Sequence, residues 1–212
     1  MHFAREAWPL VLPPLLFGIA SFIMGMRLSM AWLSFGGVFL VLLAVAILLF
    51  FRDPHRTPPT DDMQIVSPAD GVIVETRTFE TGEKFVAVFL SVWDVHVNRS
   101  PYAGIVTSVV SKPGTYLHAN SPEGAKGNAR IDVELESERG TIKFSQLSGL
   151  VARKISCRVS PGDSLRTGER YGLIYFGSRM EIVMPKDVQI SVEPGDRAVA
   201  GETIIAVFGV KQ

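Results

Sequence analysis

Three short segments of this chain carry side chains of types that could do chemistry. The first is Ser67-Pro68-Ala69-Asp70-Gly71, where Pro, Asp and Gly would by themselves make a turn, so Asp70 has a purely structural reading beside a functional one. The second is Ser91-Val92-Trp93-Asp94-Val95-His96-Val97-Asn98-Arg99-Ser100-Pro101, which directly follows the short apolar run Phe85–Leu90. An extended strand would put Asp94, His96 and Asn98 on one face and Val95 and Val97 on the other. A histidine flanked on its own face by two hydrogen-bonding side chains is better placed for a site than a lone histidine. The third is Gly177-Ser178, between the expected strands Arg170–Phe176 and Met180–Met184. Glycine serves tight connections, so this dipeptide alone needs no function.

These segments must be positioned by a chain of two unlike parts. Residues 8–51 hold almost no charge, and Arg27 divides them into apolar runs at about 8–26 and 28–51. A membrane-spanning helix needs about 20 apolar residues. The second run satisfies this. Pro9, Pro13 and Pro14 interrupt the start of the first, where proline is tolerated. The apolar stretch is far too long for a cleaved signal peptide, and its charged start is only Arg5. The expectation is a two-helix membrane hairpin over residues 1–51. Arg5, Arg52 and Arg56 flank its ends, so the positive-inside tendency puts the remainder on the cytoplasmic side of the cell membrane. Residues 52–64, with Pro54, Pro58 and Pro59, read as an extended linker at the membrane surface, with His55 a solvated linker residue.

From residue 65 to 212 the signals are short strands and Gly/Pro turns, with no long helical period. The expected class is a mainly β domain of curled antiparallel sheets with hairpin repeats, resembling a barrel-sandwich. Pro161-Gly162-Asp163-Ser164-Leu165-Arg166-Thr167-Gly168-Glu169 recurs thirty-three residues on as Pro194-Gly195-Asp196-Arg197-Ala198-Val199-Ala200-Gly201-Glu202, each copy followed by an apolar strand. Lipoyl and biotinyl carrier domains share such turn-and-strand units, but their tip lysine motif is poorly matched by Met184-Pro185-Lys186-Asp187, so the likeness is one of fold only. Lys plus Arg and Asp plus Glu are 21 each, which is no footprint for nucleic acid. The single cysteine, Cys157, excludes an intramolecular disulfide and reads as a strand residue, and no metal-ligand spacing is present.

In order and in wording, the segments resemble the short, membrane-anchored form of phosphatidylserine decarboxylase. The likeness covers nearly the whole chain: Phe51–Pro59 at the membrane exit, Val66–Gly71, Asp94–Pro101, Gly149–Ile155, and Phe176–Arg179. The resemblance implies a proenzyme that cuts itself between Gly177 and Ser178 into chains 1–177 and 178–212. Residue 178 would then become a covalent pyruvoyl cofactor. Its carbonyl would condense with the serine amine of phosphatidylserine and accept the electrons left by departing carbon dioxide. The cut requires a base for the Ser178 hydroxyl and a group that orients the base. His96 and Asp70 are the candidates, by analogy with hydrolase triads. Gly177, lacking Cβ, lets a hydroxyl reach its carbonyl. The family's long form carries a second histidine three positions on, where this chain has Arg99. His118, in Tyr116-Leu117-His118-Ala119-Asn120, is therefore the other candidate base. Arg130 could pair the lipid phosphate or be a solvated strand-start residue. Two other functions compete: a decarboxylase of another serine-headed lipid, such as an archaeal ether lipid, and a non-enzymatic membrane-tethered carrier-like β domain.

Overall fold

The computed structural model describes residues 2–150, 154–175 and 178–209. The chain divides into two units, Met1–His55 and Arg56–Gln212.

In the first unit, helices α1 (Trp8–Arg27) and α2 (Ala31–Phe50) pack along each other. Both are long and apolar enough to cross a membrane. Pro13 and Pro14 lie inside α1, and α2 starts three residues later than the apolar run because Leu28–Met30 form the turn. The contact runs through small residues. Val11, Gly18 and Gly25 on α1 and Gly37 and Ala44 on α2 are buried at seven-residue spacing. A Cβ on Gly18 would stand 2.9 Å from the Gly37 carbonyl oxygen, and one on Gly37 would stand 2.5 Å from the Phe22 amide nitrogen. Leu16, Phe17, Trp32, Phe35 and Phe39 are exposed. Small residues between the helices and large apolar ones outside is the arrangement by which helices associate in lipid. Strands β1 (His2–Phe3) and β2 (Arg52–Asp53) pair antiparallel.

The second unit is mainly β. Its strands are β3 (Gln64–Val66), β4 (Gly71–Thr78), β5 (Lys84–Leu90), β6 (Val97–Arg99), β7 (Gly104–Lys112), β8 (Arg130–Ser137), β9 (Gly140–Leu147), β10 (Ile155–Cys157), β11 (Ser164–Leu165), β12 (Arg170–Ile174), β13 (Ser178–Met184), β14 (Val188–Ile190), β15 (Arg197–Ala198) and β16 (Ile204–Phe208). One short helix, α3 (Pro122–Gly127), starts on a Ser121 cap. Eight strands form a curled sheet in the order β11-β7-β8-β9-β13-β5-β4-β15, with β10-β12-β6 and β14-β16-β3 as smaller sheets. One core joins them, built from residues such as Val88, Leu90, Phe144, Tyr171, Ile174, Met180 and Ile205.

The repeat visible in the sequence extends further in the structure. Ser67-Pro68-Ala69-Asp70-Gly71 and Ser100-Pro101-Tyr102-Ala103-Gly104 are also thirty-three residues apart, and they hold each other's strands. Val66 N donates to Pro101 O and Arg99 N to Pro68 O, both at 3.0 Å. Gly201 N donates to Ser67 O and Gly168 N to Ser100 O, both at 2.8 Å. Gly168 (φ 74°) and Gly201 (φ 77°) take the same left-handed turn, where other residues would be strained. The unit is thus two interlocked copies of one motif. After His55 the chain is tied to the β unit: Arg56 meets Asp70 at 2.8 Å and Glu202 at 3.4 Å, and Thr57 N donates to Glu202 at 2.8 Å.

The helix contact predicts a test. With Cys157 replaced by Ser, Val11→Cys and Ala44→Cys should form an oxidative cross-link in membranes, because the seven-residue steps bring these positions opposite each other. Adding Gly37→Leu should abolish the cross-link on a reducing against non-reducing gel. Unchanged cross-linking would refute the close glycine contact.

Candidate active site

Ser178 is the first residue of β13 and not a turn residue. It pairs with Leu90 of β5, and the next residue, Arg179, pairs with Phe89 and Leu147. Cross-strand partners share a face. Ser178 therefore lies with Leu90, Val88 and Met180 on the core face, and Arg179 lies on the other. Arg179 is fixed there by Glu181 at 2.9 Å and Glu75 at 2.6 Å. A slip of one residue would put this guanidinium into the core, so the ion pairs also fix Ser178 inward. Ser178 is fully buried, and its hydroxyl has no hydrogen-bond partner among the described residues. Phe176, Gly177 and Val151–Arg153 lie outside the described residues.

The sheet β10-β12-β6 covers this core face. Its Tyr171 packs on Phe144 with ring centroids 4.9 Å apart, and its hydroxyl lies 3.8 Å from Met180 Sδ. His96 immediately precedes β6 and is fully buried, and its carbonyl accepts from Ile174 N at 3.2 Å. Strand β12 ends at Ile174 and β13 begins at Ser178, so His96 and Ser178 stand at the same end of the interior. His96 Nδ1 lies 2.9 Å from the Asp94 carbonyl oxygen. A carbonyl only accepts, so Nδ1 carries the proton, and in the neutral ring Nε2 is the basic nitrogen.

The loop that presents His96 is held by Asp94. Its carboxylate accepts from Ser91 N at 2.8 Å, Ser91 Oγ at 2.7 Å and Arg197 Nη2 at 2.7 Å. Burial pushes this carboxyl up, but those bonds from Ser91 and Arg197 outweigh it and hold it below the ordinary carboxylate value. The sequence marked Asp94 only as a neighbour of His96. What it could not reveal was Arg197, which arrives from the second repeat copy.

Asp70 has different company. Its Oδ1 accepts from Ala200 N and its Oδ2 from Arg56 Nη2, both at 2.8 Å. On His96 Nδ1, where an orienting carboxylate was expected, stands the backbone of Asp94. His118 is exposed and stacks on Phe89, with ring centroids 5.8 Å apart and planes at 21°. Phe89 shares its face with Arg179, so His118 lies across the sheet from the Ser178 side chain. Arg130 is bound to Asp132, Ser145 and Glu181 in the ion-pair network of that outer face. Cys157 lies in β10, and burial pushes its thiol up against the opposing backbone bonds of Val159 and Arg158, which keeps it protonated.

Apolar side chains crowd the end of the sheet where Ser178 lies. Val92 and Trp93 follow β5, Leu150 follows β9, and Tyr116 and Leu117 sit on a loop tied to Ser148 through Asn128. All five are exposed, Trp93 to 82%.

The same arrangement of sequence is found in known proteins. A family model described as phosphatidylserine decarboxylase matches residues 43–206. Three phosphatidylserine decarboxylase proenzymes are similar to this chain. That of Desulfotalea psychrophila is 42% identical over 175 residues, covering 79% of this chain and 82% of the relative. That of Geotalea uraniireducens is 38% identical over 211 residues, covering 97% and 96%. That of Beijerinckia indica is 42% identical over 166 residues, covering 74% and 72%. With a family model across most of its length and relatives of this closeness, the chain belongs to the phosphatidylserine decarboxylase family.

Proposed function

We propose that this chain is a self-cleaving proenzyme that decarboxylates phosphatidylserine to phosphatidylethanolamine at a pyruvoyl group made from Ser178. The observation that carries the reading is the buried Ser178 hydroxyl without a partner among the described residues, at the same end of the interior as a histidine whose Nδ1 is committed to a carbonyl. Buried hydroxyls are normally hydrogen-bonded, and an exception calls for a chemical reason.

In the cut, His96 Nε2 takes the proton of Ser178 Oγ, which attacks the Gly177 carbonyl carbon. The Gly177–Ser178 amide becomes an ester as the nitrogen leaves and is protonated. Elimination removes a Cβ–Oγ bond at residue 178 and a proton from its Cα, freeing Gly177 as a carboxylate. Water hydrolyses the resulting dehydroalanine to a ketone with release of ammonia. The residues fit the group so formed, because residue 178 is buried at the same end of the interior as His96. A pyruvoyl there would supply a conjugated carbonyl that holds the substrate amine and accepts the electrons released with carbon dioxide. His96 Nε2 then returns a proton to the substrate carbon. Asp94 positions His96, and Asp70, through Arg56 and Ala200, holds the chain around the site.

The apolar rim Val92, Trp93, Tyr116, Leu117 and Leu150 suits a substrate whose tails lie in a bilayer. The two apolar helices suit membrane association, and Arg5, Arg52 and Arg56 favour the cytoplasmic side of the cell membrane.

Intact-mass measurement on denatured protein should find chains 1–177 and 178–212, the second blocked at its first residue. Ser178→Ala should leave only full-length chain, His96→Ala should slow the cut by at least about 100-fold, and His118→Ala should cut normally. Full processing of His96→Ala would remove it as the base.

Asp94→Ala should destabilise the protein by about 2 kcal/mol in chemical denaturation, the worth of bonds to a charged group with one exposed partner. The Asp94 carboxyl is lower in the folded than in the unfolded state. Its stabilisation is therefore complete above the ordinary value of 3.8 and lost as pH falls below it. Wild type and Asp94→Ala should accordingly converge in stability below about pH 4. A constant gap through that range would refute the assignment.

Trp93→Asp should reduce kcat/KM on phosphatidylserine vesicles by about tenfold, the order of one lost interfacial anchor. It should leave turnover of a water-soluble short-chain phosphatidylserine unchanged. Equal losses on both substrates would mean that the rim does not touch lipid.

A further inference from the structure

Beneath His96 and Ser178 lies a polar pair that the reaction as described leaves unused. Asn98 and Gln146 are both fully buried. Gln146 Nε2 donates to Asn98 Oδ1 at 2.8 Å. Asn98 Nδ2 and Gln146 Oε1 have no partner among the described residues. Turning both amides end for end changes nothing, because one donor and one acceptor are again left over. Asn128, also buried, shows what a structural amide looks like here. Its oxygen accepts from Thr115 Oγ1 and Leu117 N, and its nitrogen donates to Leu117 O and Ser148 O. Two buried amides left half-satisfied are worse for the fold than apolar side chains of the same shape. Packing therefore does not account for them.

Their place in the two sheets says what they face. Gln146 pairs with Met180, two residues from Ser178 on the same face of β13. Asn98, in β6, pairs with Gly172 and lies two residues after His96, whose carbonyl continues the pairing by accepting from Ile174 N. The pair therefore stands one strand step deeper than the reactive residues, on both sides of the same interior. Gly172 makes room for it: a Cβ there would stand 2.7 Å from Gln146 Nε2 and 2.5 Å from Ser156 O.

A neutral N–H and a neutral carbonyl side by side match an α-amino carboxylate, whose carboxylate accepts and whose ammonium donates. Resting on the reading of residue 178 as the reactive centre, we propose that Asn98 and Gln146 form the subsite for the amino-acid end of the serine headgroup. The phosphate and acyl chains then extend outward to the apolar rim. A neutral donor suits this reaction better than an arginine. The carboxylate loses its charge on the way to the transition state, so a guanidinium would stabilise the ground state more than the transition state.

The test uses full-length protein in detergent, with Asn98→Leu and Gln146→Met combined, and Asn98→Asp as an isosteric second variant. Intact masses should show the same cut as wild type, and Tm should not fall in the double variant. Contacts to a carboxylate that is leaving belong to substrate binding. KM for dihexanoyl phosphatidylserine should therefore rise about tenfold, with kcat within about threefold. Asn98→Asp should raise KM at least as much, by facing one carboxylate with another. A second readout needs no turnover. After borohydride reduction at residue 178, glycerophosphoserine should raise the Tm of wild type more than glycerophosphate does, and the double variant should respond to the two equally. Wild-type KM and an intact preference for glycerophosphoserine in the variants would overturn the subsite. So would parallel loss of the cut and of Tm, which would make the pair structural. Absence of the cut in wild type itself would instead sink the reading of residue 178.

Discussion

Everything in the β unit depends on a reciprocal crossing. Two Ser-Pro segments pass each other so that the strand before each donates to the carbonyl of the other's proline. Neither half can close its turn alone, because Gly168 and Gly201 reach back to Ser100 and Ser67, each in the other strand's neighbourhood. The crossing brings β6 over the core face of the eight-stranded sheet, and with β6 come His96 and Asn98. Buried backbone groups must be paired, so loss of any of these bonds would be felt at the site as well as in the fold.

Within this near-symmetry, the candidate site residues Asp70 and His96 stand where the two copies differ. Asp70 of the first Ser-Pro segment corresponds to Ala103 of the second, and His96, thirty-three positions after Met63, has no counterpart there. The repeat therefore builds the frame twice, and one half is furnished as a site. Arg197 of one copy fixes Asp94, whose carbonyl fixes His96. A change in a turn of the second repeat is thereby transmitted to the ring nitrogen that would move the proton.

Much of this was legible in the sequence, for identifiable reasons. Period-two alternation singled out Asp94, His96 and Asn98, and all three are buried, although Val95 and Val97 between them are buried too and the strand begins only at Val97. The Pro-Gly-Asp echo revealed two like hairpins, because glycine at positive φ leaves a mark that composition shows. The Ser-Pro echo was missed. Only its glycine and serine do the same work twice, and three of its residues differ or could be any turn. Ser178 read as a turn residue because Gly precedes it, while its strand register is set by Arg179 reaching Glu75, more than a hundred residues away. No spacing rule could show that His118 stacks on Phe89, on the face of the sheet away from the Ser178 side chain, because that is fixed by the pairing of β5 with β13.

The position of β13 also explains how a cut chain could remain one molecule. A break before Ser178 would fall at the end of a strand and not within it, so the pairing of β13 from Arg179 onward would be kept. That strand stays hydrogen-bonded to β5 on one side and β9 on the other, in the middle of the sheet. The same fragment supplies β15 beside β4 and β16 between β14 and β3. The fragment 178–212 is too short to bury a core of its own, but it is threaded through two sheets and carries Met180, Ile182, Ile205 and Phe208 into the common core. Cleavage at this point would free a chain end at residue 178 while leaving the shared core and the rest of the ladders in place. A cut two residues later would begin to unpair the central strand, so a cut before the first residue of β13, as proposed, would break the backbone at little cost to the fold.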